Sequence, residues 1–154
     1  MAGYFVDSSA LVKRYVNETG SVWLSGLVAP AAGNDIYIAR ITTVEVLAAV
    51  TRRAPGGTIA ATDASAACLL FRNDLSYDYD IVDMTETLLN RAMMLAETHG
   101  LRGYDAVQLA AACEVNAFCA VSGLPPLTFV SADRELNTAA TGEGLLMEDP
   151  NAHP

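Results

Sequence analysis

The sequence predicts an α/β fold, a parallel sheet covered by helices on both faces. Two observations lead there. Short apolar runs with strand character alternate with segments of helical character, the order that joins parallel strands by helical crossovers. Four acidic residues, Asp7, Glu45, Asp105 and Asp133, stand at the ends of strand-like runs or in the first turns of helices. An open α/β sheet gathers its functional groups there, in the crevice at the carboxyl ends of its strands.

Tyr4-Phe5-Val6 reads as the first strand, ending at Asp7. Ser8 or Ser9 then caps a helix running from Ala10 to about Asn17, because a serine oxygen accepts from the free amides of a first turn. Gly20 stops it, and Ser21 starts a second helix, Val22 to Val28, before Pro30. Asp35 to Ala39 is the second strand, and Thr42 or Thr43 caps a helix from Val44 to about Arg53. Pro55-Gly56-Gly57 is the clearest breaker, too short for a domain linker.

Thr58 begins a long helical stretch to about Leu75, and Tyr79 to Val82 is a third strand. Thr85 starts a helix in which Leu88, Leu89, Ala92, Met93 and Ala96 recur at the spacing of a buried stripe. Gly100 ends it in the usual C-terminal way. Another helix runs from Asp105 to about Asn116, and Leu127 to Val130 is the fourth strand. Asp133 opens a short helix that stops at Thr141-Gly142, and Leu145 to Met147 is a last edge strand. The expected organisation is one domain over residues 1–148 with a flexible tail over 149–154.

At 154 residues, 52% of them hydrophobic, the chain is long enough to bury a sizeable core. No apolar stretch approaches the roughly 18 uncharged residues of a spanning helix, so no membrane role is expected. The opening MAGYFVDSSA has no basic region and meets Asp7 at once, unlike a signal peptide, and a cytoplasmic location is expected. Cys68, Cys113 and Cys119 are odd in number and form no CxxC pair, so they read as buried thiols. His99 and His153 are too few for a histidine metal site. Trp23 and Phe71 read as core, while Tyr77 and Tyr79 lie in an Asp-rich turn.

The formal charge is −9, from 18 acidic and 9 basic residues. A protein that binds nucleic acid mainly through its phosphates should be basic. Any such role here must rest on metal plus a local basic patch, and the acidic surface also suits a basic partner.

Each carboxylate has an ordinary explanation taken singly. Asp7 and Asp105 suit the positive end of a helix. Thr42-Thr43-Val44-Glu45 fits a T-x-x-E capping box. Asp133 suits a post-strand cap with Ser131 as helper. Four together are another matter, because carboxylates in contact push up one another's pKa. A divalent metal relieves that conflict. Mg²⁺ takes hard oxygen ligands, and two such ions roughly 4 Å apart activate a water and stabilise the leaving oxygen in phosphodiester hydrolysis.

Neither a Ser-His-Asp set nor a GxGxxG or P-loop pattern is evident. An aspartyl phosphatase with Asp7 as nucleophile is an alternative, but it wants a second Asp where Ser9 stands. Lys13, Arg14, Arg102 and Arg134 lie near the acidic residues in sequence and are candidates for a basic rim that meets substrate phosphates.

The stretch from Phe5 through Asp7-Ser8-Ser9 to Lys13-Arg14-Tyr15, followed by Glu18-Thr19-Gly20-Ser21, resembles the start of a PIN domain. Thr43-Val44-Glu45-Val46 resembles the family's second acidic motif, Leu101 to Ala110 its third, and Val130-Ser131-Ala132-Asp133 its fourth. The resemblance runs from Tyr4 to about Met147 and is strongest to VapC-type toxins of toxin–antitoxin pairs. It implies a three-layer α/β/α sandwich and a metal-dependent endoribonuclease acting on RNA. Asp7, Glu45, Asp105 and Asp133 would hold Mg²⁺ or Mn²⁺, and Ser8 and Ser131 would support them by hydrogen bonding.

The resemblance also implies a small antitoxin partner and a homodimer. The family often has histidine where Gln108 stands and threonine where Ser131 stands. A PIN fold kept as a non-catalytic binding module is the other alternative, which the unbroken acidic set disfavours.

Overall fold

A computed structural model describes residues 2–154. Five strands form one parallel sheet: β1 (Gly3–Val6), β2 (Asp35–Ala39), β3 (Asp80–Val82), β4 (Thr128–Val130) and β5 (Leu146–Glu148). Their order across the sheet is β3-β2-β1-β4-β5. All four pairings are parallel, with Phe5 beside both Tyr37 and Phe129.

Side chains alternate across the pleat, and the alternation splits the core in two. Val6, Ile36, Ile38 and Val130 face a cluster built with α1 (Ser8–Leu11), α2 (Ser21–Val28), α3 (Thr42–Arg53) and α4 (Ala61–Tyr77). Phe5, Ala39 and Phe129 face the other cluster, with α5 (Glu86–His99), α6 (Gly103–Val121) and α7 (Arg134–Gly142). The rings of Phe5 and Phe129 stack at 5.9 Å beneath α6. The result is the expected α/β/α sandwich.

The strand order places the site. The chain moves outward from β1 to β2 and β3, then crosses back to lay β4 and β5 on the other side of β1. That reversal opens a crevice between the carboxyl ends of β1 and β4, where open sheets of this kind bind ligands. Asp7 follows β1 directly, and Ser131 follows β4.

Several local expectations change. The first helix is one turn of α1 followed by a 3₁₀ turn over Val12–Arg14, and its cap is Asp7 rather than either serine. Ser8 and Ser9 turn instead to partners far away in sequence. Thr58 donates its N–H to the Arg53 carbonyl and so closes α3, which leaves α4 to begin at Ala61. α6 meets no breaker before Gly123 and runs on to Val121. In α5 the buried stripe is Leu88, Ala92 and Leu95, while Met93 is 63% exposed.

The segment after β5 is packed rather than frayed. Pro150–Ala152 forms a 3₁₀ turn, the His153 ring stacks on Trp23 at 4.2 Å, and its Nε2 lies 2.9 Å from Glu148 Oε2. Pro150 lies directly against Gly20, whose φ of +85° and lack of a Cβ make the close approach possible. Phe71 is fully buried, and Tyr79 is buried with its hydroxyl against that of Tyr15, whereas Tyr77 is exposed. Cys113 and Cys119 are buried and Cys68 half-buried. Among the described residues, no helix is long and apolar enough to cross a membrane.

Candidate active site

Asp7 is 3% exposed, at the floor of the crevice. Its Oδ1 accepts from the Ala10 N–H at 2.9 Å and from the Ser9 hydroxyl at 2.7 Å. Its Oδ2 accepts from the Ser131 hydroxyl at 2.6 Å. Burial raises its pKa to about 6, against the pull of these three hydrogen bonds, and the charge of Asp105 adds to the rise. The cap and the site are therefore the same carboxylate.

Ser9 and Ser131 tie the two strand ends together. Ser9 Oγ accepts from the Ala132 N–H at 3.0 Å, and Ser131 Oγ accepts from the Asp133 N–H at 3.1 Å. Asn137, buried on α7, donates to the Ser131 carbonyl at 2.8 Å. The sequence offered Ser9 only as a cap and gave no role to Asn137. The run Asp7-Ser8-Ser9 was the available signal for Ser9, since two successive hydroxyls after a strand-end aspartate exceed what one cap uses.

Glu45 does not close a capping box. α3 begins at Thr42 behind Ile41 with no side-chain cap. Glu45 Oε1 instead accepts from the Ser8 hydroxyl at 2.7 Å and from Gln108 Nε2 at 3.0 Å. Thr42, fully buried, takes Gln108 Nε2 at 2.8 Å on its hydroxyl oxygen. Three helices, α1, α3 and α6, thus meet on one polar cluster under the crevice.

Asp105 lies half-buried in the first turn of α6. Partial burial raises its pKa first, then the charges of Asp133 and Glu45, while Arg102 pulls it back. Asp133 caps α7, its Oδ1 accepting from the Leu136 N–H at 3.1 Å. Asp105 feels Glu45 and Asp133 and is felt by Asp7, so the fold brings all four predicted carboxylates into one electrostatic neighbourhood.

The basic residues divide. Lys13 is buried, with Nζ 3.4 Å from Glu18, which also pairs with Arg53 at 2.5 Å. Arg14 is half-buried beside the Tyr15 ring. These two therefore form no exposed rim. Arg102 is exposed at the start of α6, and exposed Arg134 lines a hollow of about 360 Å³ with Asn137, Thr138 and Asp149.

Among the described residues, no three His, Cys, Asp or Glu side chains are gathered closely enough to enclose an ion by themselves. The donor chemistry nevertheless suits a hard divalent cation, because Mg²⁺ generally takes one or two carboxylates and completes its shell with water and phosphate oxygens. Asp105 accepts no hydrogen bond from another side chain among the described residues. Glu45 and Asp133 each have one oxygen in the same position.

The chain matches the PIN domain family model over residues 4–140. It is 32% identical over 148 residues to "Ribonuclease VapC45" of Mycobacterium tuberculosis, covering 91% of this chain and 90% of that protein. Among solved structures it is similar to PAE2754 from Pyrobaculum aerophilum, with a TM-score of 0.64 at 22% identity, covering 98% of this chain and 91% of the other. It is also similar to a toxin–antitoxin complex from Klebsiella pneumoniae, with a TM-score of 0.61 at 15% identity and coverage of 97% and 98%. Those two likenesses speak to the fold. The family match spans β1 to α7 and takes in all four acidic residues, and the chain belongs to the PIN domain family.

Proposed function

We propose that this protein is the toxin of a toxin–antitoxin pair, an endoribonuclease that hydrolyses RNA phosphodiesters at the crevice between β1 and β4. The observation that carries the reading is the grouping of Asp7, Glu45, Asp105 and Asp133 around the crevice, where burial first and then the charges of Asp133 and Glu45 raise Asp105. A relative named as a ribonuclease, matched over nearly all of both chains, supports the substrate class.

Asp105, Glu45, Asp7 and Asp133 are the residues to hold Mg²⁺ or Mn²⁺. Such an ion supplies Lewis-acid charge at the phosphate and lowers the pKa of water. The protein's own groups do the rest. Ser131 and Ser9 fix the Asp7 carboxylate, and Ser8 and Gln108 fix one oxygen of Glu45. Arg102, whose charge reaches Asp105, and Arg134, next to Asp133 in the chain, are the residues to meet substrate phosphates. Water as nucleophile leaves the RNA 2′-hydroxyl out of the chemistry, and with the 3′-oxygen as leaving group the P–O3′ bond breaks, so products carry 5′-phosphate and 3′-hydroxyl ends.

The partners of this reading are RNA, a small antitoxin and a second copy of the chain, in the cytoplasm. A single domain over residues 1–148, against which the segment after it packs, carries the activity. The test is a map of new RNA 5′-phosphate ends after a short pulse of expression, wild type against Asp7→Asn. Discrete new ends in the wild type alone support the reading, and identical maps contradict it.

A further inference from the structure

Gln108 sits on α6 three residues after Asp105, a spacing that places the two side chains on one face of the helix. It is 2% exposed. Its Nε2 lies within hydrogen-bond reach of three oxygens: Ser8 Oγ at 2.9 Å, Thr42 Oγ1 at 2.8 Å and Glu45 Oε1 at 3.0 Å. Its Oε1 is buried with no partner.

Hydrogen counting gives this arrangement a direction. The amide has two protons for three oxygens. Ser8 has one proton, and its oxygen is 2.7 Å from Glu45 against 3.2 Å from Thr42, so that proton goes to Glu45. One amide proton then falls to Thr42 and the other is shared between Glu45 and Ser8. Reversing the amide would set its carbonyl oxygen against Glu45 Oε1, two acceptors face to face. The orientation that satisfies the carboxylate is also the one that strands Gln108 Oε1. A buried unpaired carbonyl is a cost, and here it accompanies the holding of Glu45.

The network engages only Oε1 of Glu45, and among the described residues no side chain donates to Oε2. We infer that Gln108 is a positioning residue for the cation site. Its amide fixes Glu45 by one oxygen and so presents the other to a divalent ion held together with Asp105. This rests on the reading of the crevice as a divalent-metal site.

The experiment is Mn²⁺ titration of the full chain, with free Mn²⁺ followed by electron paramagnetic resonance. It compares wild type, Gln108→Met, Glu45→Gln and the double variant, with Asp105→Asn as control and thermal melts in EDTA to monitor folding. Removing a partner that orients a metal ligand typically weakens metal affinity about 10–100-fold. Gln108→Met is expected to lose at least about tenfold in Mn²⁺ affinity while still melting cooperatively. In the Glu45→Gln background the same substitution is expected to change affinity by less than about twofold, because residues acting as one unit are not additive.

Wild-type affinity in Gln108→Met, or losses that multiply in the double variant, would overturn the inference and leave the metal site standing. Absence of Mn²⁺ binding in the wild type, or unchanged binding in Asp105→Asn, would overturn the site reading and this inference together. If Gln108→Met does not fold, Gln108→Asn draws the amide back by one methylene and the same comparison is read with it.

Discussion

The Ser131 hydroxyl donates to Asp7 Oδ2 at 2.6 Å, joining two residues 124 positions apart at the ends of adjacent strands. The same hydroxyl accepts the Asp133 N–H, so one buried oxygen fixes the floor of the crevice and the start of α7. Ser131→Ala removes both bonds. RNA cleavage is expected to fall about 10–100-fold, the usual effect of losing a partner that orients a metal ligand. Ser131→Thr keeps the hydroxyl and most of the rate. Equal rates for Ser131→Ala and wild type in a single-turnover assay would remove Ser131 from the site.

Asp7 makes stability depend on pH in a direction opposite to that of most carboxylates. Burial raises its pKa from 3.8 to about 6 in the folded protein. The folded state therefore holds a proton that the unfolded chain releases. The associated stability is complete below about pH 4 and is lost as pH rises through about 6. At about 1.4 kcal/mol per pKa unit, the loss is at most about 3 kcal/mol. Asp105 is raised as well and acts in the same sense. In EDTA, Asp7→Asn is expected to flatten the fall and to be more stable than wild type at pH 7.5. Urea titrations across pH 4 to 8 check this, and parallel curves for the two proteins would contradict it.

Asp133 has two roles that substitution can separate. Asn caps a helix about as well as Asp, so Asp133→Asn should keep the fold while losing the negative charge and the cleavage. Asp133→Ala should lose both, with a stability cost of about 1 kcal/mol. Chemical denaturation beside a cleavage assay reads the two effects. Full cleavage by Asp133→Asn would leave this residue with its cap alone.

The sequence made the sheet legible because each strand is a short apolar run closed by a polar residue, as in Phe5-Val6-Asp7 and Phe129-Val130-Ser131. The places of Asp7 and Ser131 followed from the same pattern, since residues at strand ends converge wherever the strand order reverses, whereas Glu45 and Asp105 stand in the first turns of α3 and α6. What stayed hidden depended on contacts distant along the chain. Local rules allow Ser8, Ser9 or Asp7 as the cap of α1. Glu45, 37 residues away from Ser8, and the Ala132 amide, 123 away from Ser9, draw the serines off and leave the cap to Asp7. The stripe read from the sequence of α5 takes in Leu89 and Met93, but packing in the cluster with α6 buries Leu88, Ala92 and Leu95 instead. The docking of the last residues needs Trp23 and Gly20, neither of which marks itself as a partner.

Gly20 tests that docking. Its left-handed backbone makes Gly20→Ala strained by about 1–3 kcal/mol, and a Cβ would collide with Pro150. In a chain ending at Glu148 the collision is absent, so the same substitution should cost measurably less. Equal costs in urea denaturation of the two chains would mean that the tail does not hold α2.

If these carboxylates work with a divalent ion to cut RNA by water, both the metal and the carboxylates are indispensable to the products. The most direct measurement is the end chemistry of RNA cleaved by the purified protein, in Mg²⁺ or Mn²⁺ and in EDTA, with Asp105→Asn alongside. The expected result is 5′-phosphate and 3′-hydroxyl ends that appear only with metal and only with Asp105 intact. Cleavage that persists in EDTA, or products ending in 2′,3′-cyclic phosphate, would contradict it.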